Sequence, residues 1–162
     1  MGKVYTQNEL AQERLKWKQH HQKVVFTNGV FDILHRGHAE YLNAARQLGD
    51  ILIVGVNSDA SVRKIKGPLR PIVPDHDRAF LLSQFAAVDG VALFDEETPF
   101  AIISLLLPDI LVKGADYSLD TIVGRDVVEA AGGIVQTIPF VPNRSTTNIV
   151  DIIVSRFSKQ QE

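Results

Sequence analysis

Residues 23–57 read KVVFTNGVFDILHRGHAEYLNAARQLGDILIVGVN, and this stretch decides the fold. Its two ends, KVVFTN and DILIVGVN, are nearly continuous runs of Val, Ile and other apolar residues. Continuous rather than alternating hydrophobicity is the pattern of strands covered on both faces. Between them, Tyr41, Leu42, Ala45 and Leu48 fall at helical spacing, with Gly49 as the stop. A strand, a helix and a second strand of this length form a crossover unit with parallel strands.

The same alternation continues downstream. Ser58 and Asp59 cap a short helix to about residue 64, and KGPLRPIVP is a loop by its glycine and prolines. A helix is predicted over 75–87, then the strand VDGVALF, then a helix over 99–107 with proline in its first turn. DILVKG is a further strand, 125–131 a helix stopped by Gly132 and Gly133, GIVQTIPF a last strand, and 145–157 a closing helix. Five strands alternating with helices predict an α/β fold, a doubly wound five-stranded parallel sheet with helices on both faces. Residues 1–162 are expected to form a single domain, with 1–22 as an N-terminal helical extension.

Composition narrows the function. With 45% hydrophobic and 22% charged residues, the chain matches a globular domain with a real core. A net charge of -2 argues against nucleic acid as the main partner. The absence of cysteine excludes disulfides, thiolate metal sites and cysteine nucleophiles. No apolar run approaches the roughly 20 residues of a membrane span, and the polar N-terminus lacks the apolar stretch of a signal peptide. A cytoplasmic protein without membrane partners is the expectation.

The chemistry concentrates in TNGVFDILHRGH (27–38), where the first core strand hands over to a helix. Ligands of open parallel sheets bind at the carboxyl ends of strands. His35 and His38, three residues apart, project from one face of a first helical turn. Free N–H groups and the positive end of the helix dipole make that turn an anion site. Gly29 and Gly37 are expected to let a ligand approach the backbone. The set suits a polyphosphate, with imidazole as a donor able to take up charge near neutral pH. A helix cap or surface histidines are the plain alternative. Zinc is disfavoured because no third ligand has suitable spacing, so no protein metal site is expected, and there is no Walker loop. Ser145, Thr146 and Thr147 combine hydroxyls with helix-start N–H groups as a second anion site, which capping does not preclude. Lys64, Lys66 and Arg70 flank Gly67-Pro68 like the cations of a lid, or form a solvated basic loop.

GVFDILHRGH resembles the H-x-G-H signature of the nucleotidylyltransferase superfamily, which follows the first strand of a Rossmann-like fold. LGDILIVGVNSDASVRKIKGPLRPI, ILVKGADYS and STTNIV, in that order, resemble the heptose-1-phosphate adenylyltransferases of lipopolysaccharide-precursor synthesis. The likeness covers roughly residues 23–155. Such enzymes occur alone or as the C-terminal half of a fusion to a sugar kinase, and this chain is expected to resemble the stand-alone form.

The resemblance implies transfer of AMP from ATP to a sugar 1-phosphate, with pyrophosphate released and no covalent enzyme intermediate. His38 would stabilise the transition state and the leaving pyrophosphate, and His35 would contact the α- or β-phosphate. Asn28, Gly29, Val30 and Phe31 would offer backbone N–H groups; relatives often have Cys or Thr at the place of Val30, so any contact there would come from the backbone. The family's catalytic basic residue would be Lys66 or Lys64. Lys113, Gly114 and Asp116 would line the nucleotide pocket, and Thr146, Thr147 and Ser145 would hold the β- and γ-phosphates. Arg125 has two readings, nucleotide contact or surface salt bridge. Asp32 either holds the loop and the partner substrate or caps the following helix. Asn57 and Asp59 face the sugar, or serve as a strand-end turn and helix cap. Mg²⁺ would be held mainly by ATP phosphates. Arg144 stands where some cytidylyltransferase relatives carry glycine, which leaves ATP against CTP open.

Three functions compete: a heptose 1-phosphate adenylyltransferase; a cytidylyltransferase for glycerol 3-phosphate or a phospho-amino-alcohol; and a non-catalytic nucleotide-binding regulatory module. A homodimer is a further expectation drawn from relatives.

Overall fold

The computed structural model describes residues 2–115, 118–139 and 144–158. Its six strands form one parallel sheet in the order β1-β4-β3-β2-β5-β6. The strands are β1 (Lys3–Tyr5), β2 (Val24–Gly29), β3 (Ile51–Asn57), β4 (Gly90–Phe94), β5 (Ile110–Gly114) and β6 (Ile134–Ile138). The helices are α1 (Gln7–Gln19), α2 (Arg36–Arg46), α3 (Asp59–Lys66), α4 (Asp75–Ser83), α5 (Phe100–Leu106), α6 (Arg125–Ala130) and α7 (Thr146–Phe157). The expected doubly wound architecture is present with one strand more than predicted. The addition is β1, which pairs Lys3 with Gly90 and Tyr5 with Ala92, so the N-terminal segment is a strand and a helix rather than a helix alone.

Alternation along the strands builds two cores. Val25, Leu52, Val54, Val91 and Val112 point to one face, where they meet Tyr41, Leu42 and Ala45 of α2 and Ala79 and Leu82 of α4. Val24, Phe26, Ile53, Ala92 and Leu111 point to the other, against Leu10 and Trp17 of α1 and Ile102, Ile103 and Leu106 of α5. Each strand residue thus reaches one of two apolar layers, which is why the strand segments are apolar throughout.

Carboxylates tie down the amino ends of the strands. Asp50 accepts from the Lys23 N–H at 2.8 Å, Asp109 from Val24 at 2.8 Å and Asp89 from Leu52 at 2.8 Å. The carboxyl ends are left for the site. From β2 the chain runs outward to β3 and β4 on one side, and later to β5 and β6 on the other, so the order reverses between β2 and β5. That is the switch point at which such sheets open a crevice. Among the described residues no helix is long and apolar enough to cross a membrane.

Candidate active site

A cleft of about 580 Å³ lies at this switch point, within the size range of sites for small ligands. Its floor is Asn28, Gly29, Val30, Phe31 and Asp32, which leave the carboxyl end of β2. His38 of α2 and Lys113 of β5 flank them. Lys66, Arg70 and Asn57 form one side, and Thr146 and Thr147 of α7 another.

His35 is the N-cap of α2 and His38 lies in its first turn. Their rings stack, with centroids 3.8 Å apart and planes 21° from parallel. The Phe31 ring lies 5.3 Å from that of His38. Burial lowers the His38 pKa to about 4, with the neighbouring His35 adding to the effect. Burial also lowers the pKa of His35, helped by the Arg144 guanidinium. Both imidazoles are therefore largely neutral at pH 7. Among the described residues the buried Nδ1 atoms of both find no hydrogen-bond partner, and His38 lines the cleft. A neutral ring protonated at Nε2 is a hydrogen-bond donor that gains charge when an anion arrives.

Gly29 and Gly37, expected to admit a phosphate, also leave room for rings. A Cβ on Gly37 would stand 3.0 Å from two atoms of the His35 ring and 3.1 Å from Arg144 Cβ. A Cβ on Gly29 would stand 3.1 Å from the Phe31 ring. Phe31 itself has φ 49°, a left-handed conformation that a bulky residue adopts only when its surroundings hold it there. Its buried ring, packed in the core that includes Tyr41, supplies that hold.

Asp32 does not cap the helix. Its buried carboxylate accepts from the backbone N–H groups of Ile72 (2.9 Å) and Val73 (2.8 Å) and from Arg70 Nε (2.6 Å). It holds the loop that follows α3, and Arg70 is thereby paired. Lys64 and Lys66 are not on a loop either: they lie in the last turn of α3, which Ser58 caps by accepting from the Ser61 N–H. Lys66 is exposed at the cleft; Lys64 does not line it. Lys113, buried at the end of β5, donates to Asn28 Oδ1 across the switch point.

Other expected residues lie apart from the cleft wall. Asp59 pairs with Arg78 at 2.9 Å, and Asn57 alone of that pair lines the cleft. Arg125 bonds Asp120 and Glu129, so the surface salt-bridge reading describes it. Ser145 caps α7 by accepting from the Asn148 N–H at 3.1 Å, and the two threonines after it are the ones that reach the cleft. His35, Gly37 and Gly114 lie behind the lining residues. Asp116 falls outside the described residues.

Arg78 and Glu97 are among the residues that were not anticipated. Arg78 of α4 is fully buried, and its guanidinium donates to the carbonyls of Val30, Val73 and Asn57 and to Asp59 Oδ1. One side chain thus ties the β2 loop, the end of β3, the start of α3 and the loop before α4 into one block. An arginine in an otherwise amphipathic helix reads as surface, and no sequence signal marks it. Glu97, between β4 and α5, also lines the cleft; its place in the run DEETP suggests a solvated loop.

The arrangement fits a bound polyanion: a helix start, the His38 imidazole backed by that of His35, two lysines and two threonine hydroxyls converge on one cavity. Comparison with known proteins agrees. The chain is 51% identical over 152 residues to the bifunctional protein HldE of Trichlorobacter lovleyi, covering 94% of this chain and 30% of that protein. It is 56% identical over 136 residues to the HldE of Citrifermentans bemidjiense, covering 84% and 28%. It therefore spans less than a third of the length of these curated relatives. A solved lipopolysaccharide core biosynthesis protein from Thermoplasma volcanium is 30% identical with a TM-score of 0.61, covering 74% of this chain and 97% of that one. Pantothenate synthetase from Thermus thermophilus, 22% identical with a TM-score of 0.61 over 92% of this chain and 67% of that one, shares the fold. The match to the cytidylyltransferase-like family runs over residues 26–153, from the strand that feeds the histidine pair into the helix that carries the two threonines, and the chain belongs to that family.

Proposed function

We propose that this chain transfers the adenylyl group of ATP to a heptose 1-phosphate, giving ADP-heptose and pyrophosphate. An oxygen of the sugar phosphate attacks the α-phosphorus in line. The bond from that phosphorus to the bridging oxygen of pyrophosphate breaks, and the electron pair leaves with pyrophosphate. The observation that carries this reading is the stacked His35–His38 pair at the start of α2, which presents His38 to a cleft shared with Thr146 and Thr147. The subfamily is supported by the ordered segments NSDASV, KGADY and STT, and by relatives described as bifunctional that this chain matches over less than a third of their length.

The protein's part in such a reaction is positioning and charge stabilisation. His38 donates from Nε2 to oxygens on which charge develops, and its proton affinity rises as it does so. Lys66 and Lys113 offset phosphate charge, and Thr146 and Thr147 hold the β- and γ-phosphates. Among the described residues no group of three or more His, Asp or Glu side chains could hold a metal ion. Both Asp32 oxygens are engaged. This donor set fits Mg²⁺ that is held by ATP phosphates and water, where it neutralises phosphate charge. The same reading places the protein in the cytoplasm, with a homodimer as its proposed solution state.

The test is pyrophosphate release with ATP, CTP, GTP and UTP, each against heptose 1-phosphate, glycerol 3-phosphate and phosphocholine. Release with ATP and the heptose phosphate is expected. Release only with CTP and an alcohol phosphate replaces this reading with the cytidylyltransferase. ATP binding without turnover in any combination leaves a regulatory module. In an enzyme, His38→Ala lowers turnover on the order of 10²-fold or more, with a smaller change in ATP affinity.

A further inference from the structure

The cleft has two chemically unlike walls. His38, Lys113, Thr146 and Thr147 present donors. The β4–α5 connection, held to α3, contributes Glu97 and Thr98. Among the described residues two carboxylates line the cavity. Asp32 is fully engaged by Arg70 and the N–H groups of Ile72 and Val73. Glu97 is exposed and, among the described residues, has neither a hydrogen bond nor an ion pair.

Its loop is nevertheless anchored. Ser61, fully buried, donates from Oγ to the Glu96 carbonyl at 2.7 Å and accepts from Asn57 Nδ2 at 2.9 Å. The Ser58 N–H donates to the Phe94 carbonyl at 2.9 Å. The backbone on the N-terminal side of Glu97 is thereby fixed to the start of α3 and the end of β3.

A carboxylate repels phosphate, so this wall is unsuited to the triphosphate. It is suited to hydroxyl groups, which donate to a carboxylate in charge-assisted hydrogen bonds. In-line transfer assigns the side. With Thr146 and Thr147 holding the leaving pyrophosphate in the proposed reaction, the attacking oxygen comes from the side of the cleft away from α7. Glu97 follows Glu96, whose carbonyl is linked through Ser61 to Asn57 at the end of β3.

We infer that Glu97 is a specificity-determining residue that accepts hydrogen bonds from the hydroxyls of a glycosyl phosphate acceptor. This rests on the adenylyltransferase reading. It makes the β3–β4 wall a polyol subsite, distinct from the phosphate subsite at β2, β5 and α7, and it selects a sugar over an acyclic phosphate that lacks hydroxyls to match it.

The experiment uses the full chain as wild type, Glu97→Gln and Glu97→Ala, with heptose 1-phosphate and its singly deoxygenated analogues as acceptors. Removal of a charge-assisted contact raises the acceptor KM on the order of 10-fold in Glu97→Ala, with Glu97→Gln between it and wild type. The ATP KM and the Mg²⁺ half-saturation stay within about 2-fold, since neither ligand uses this wall. At least one deoxy analogue weakens wild type but not Glu97→Ala, the non-additivity that marks a direct contact. An unchanged acceptor KM, equal losses with every deoxy analogue in both proteins, or a shift confined to Mg²⁺ or ATP overturns the assignment while leaving the enzyme intact. No pyrophosphate from wild type with any sugar phosphate overturns the proposed function, and the polyol subsite with it. Preference of wild type for phosphocholine assigns Glu97 to an ammonium instead and likewise overturns it.

Discussion

His38 is the residue on which the proposed chemistry turns, and its burial gives it a measurable signature. Its titration, followed by NMR of the imidazole Cε1–H, is expected to centre near pH 4 in the free protein. Added pyrophosphate or ATP brings negative charge to Nε2 and moves that midpoint upward, because an adjacent anion favours the charged ring. A midpoint that ignores polyphosphate would separate the histidines from the anion site. Gly37 gives a second test at this scale. Gly37→Ala puts a methyl 3.0 Å from the His35 ring and 3.1 Å from Arg144, with the ring forced to move. Activity should fall while the thermal midpoint changes by only a few degrees, since Gly37 is in α2, where alanine is the better helix former. The pair of histidines was legible in the sequence because imidazoles around a glycine at a strand-to-helix junction imply an anion. The reason for the glycine was not, because only the folded rings show what fills the space above it.

At the level of elements, β2–α2–β3 was legible end to end, since apolar runs and a helical period are local properties. The length of α3 was read short because Gly67 and Pro68 draw attention to the loop, although the Ser58 cap carries the helix to Lys66. The strand β1 was missed for a different reason. Three residues carry no period, and its pairing with β4 joins positions far apart in the chain. Arg78 was invisible on related grounds: besides Val73 just before α4, its partners are Val30 and Asn57, which lie far from α4 in sequence. Removing it leaves three carbonyls and Asp59 without their donor. Arg78→Ala is expected to destabilise the fold by about 3–5 kcal/mol in chemical denaturation. Arg78→Lys keeps the charge but not the fork, so it restores part of the stability while kcat stays low, the floor of the cleft having lost its bond to Val30. Full activity in Arg78→Lys would show that the loop holds its shape unaided.

For the whole molecule, the two low-pKa histidines set an acid limit. Between about pH 4 and 6.5 the unfolded chain binds more protons at His38 than the folded one, so stability rises with pH across this window and is lost as pH falls through it. Urea midpoints measured from pH 4 to 7 should follow this slope, and His38→Gln should flatten it. A finding of the opposite slope for the wild type relative to the variant would mean that the ring is charged in the fold. The helix α7 bears on a different property of the molecule. It supplies Thr146 and Thr147 to the cleft, yet none of its residues is buried, and Ile153 and Val154 are among its exposed side chains. Such a helix opens without the sheet opening. Its amide protons should exchange with solvent through local fraying, far faster than those of β2 and β3, and slow when a polyphosphate bridges its first turn to the opposite wall. In a deuterium-exchange time course, ligand binding would then be written as protection in α7, and part of the affinity would be consumed in holding that segment closed.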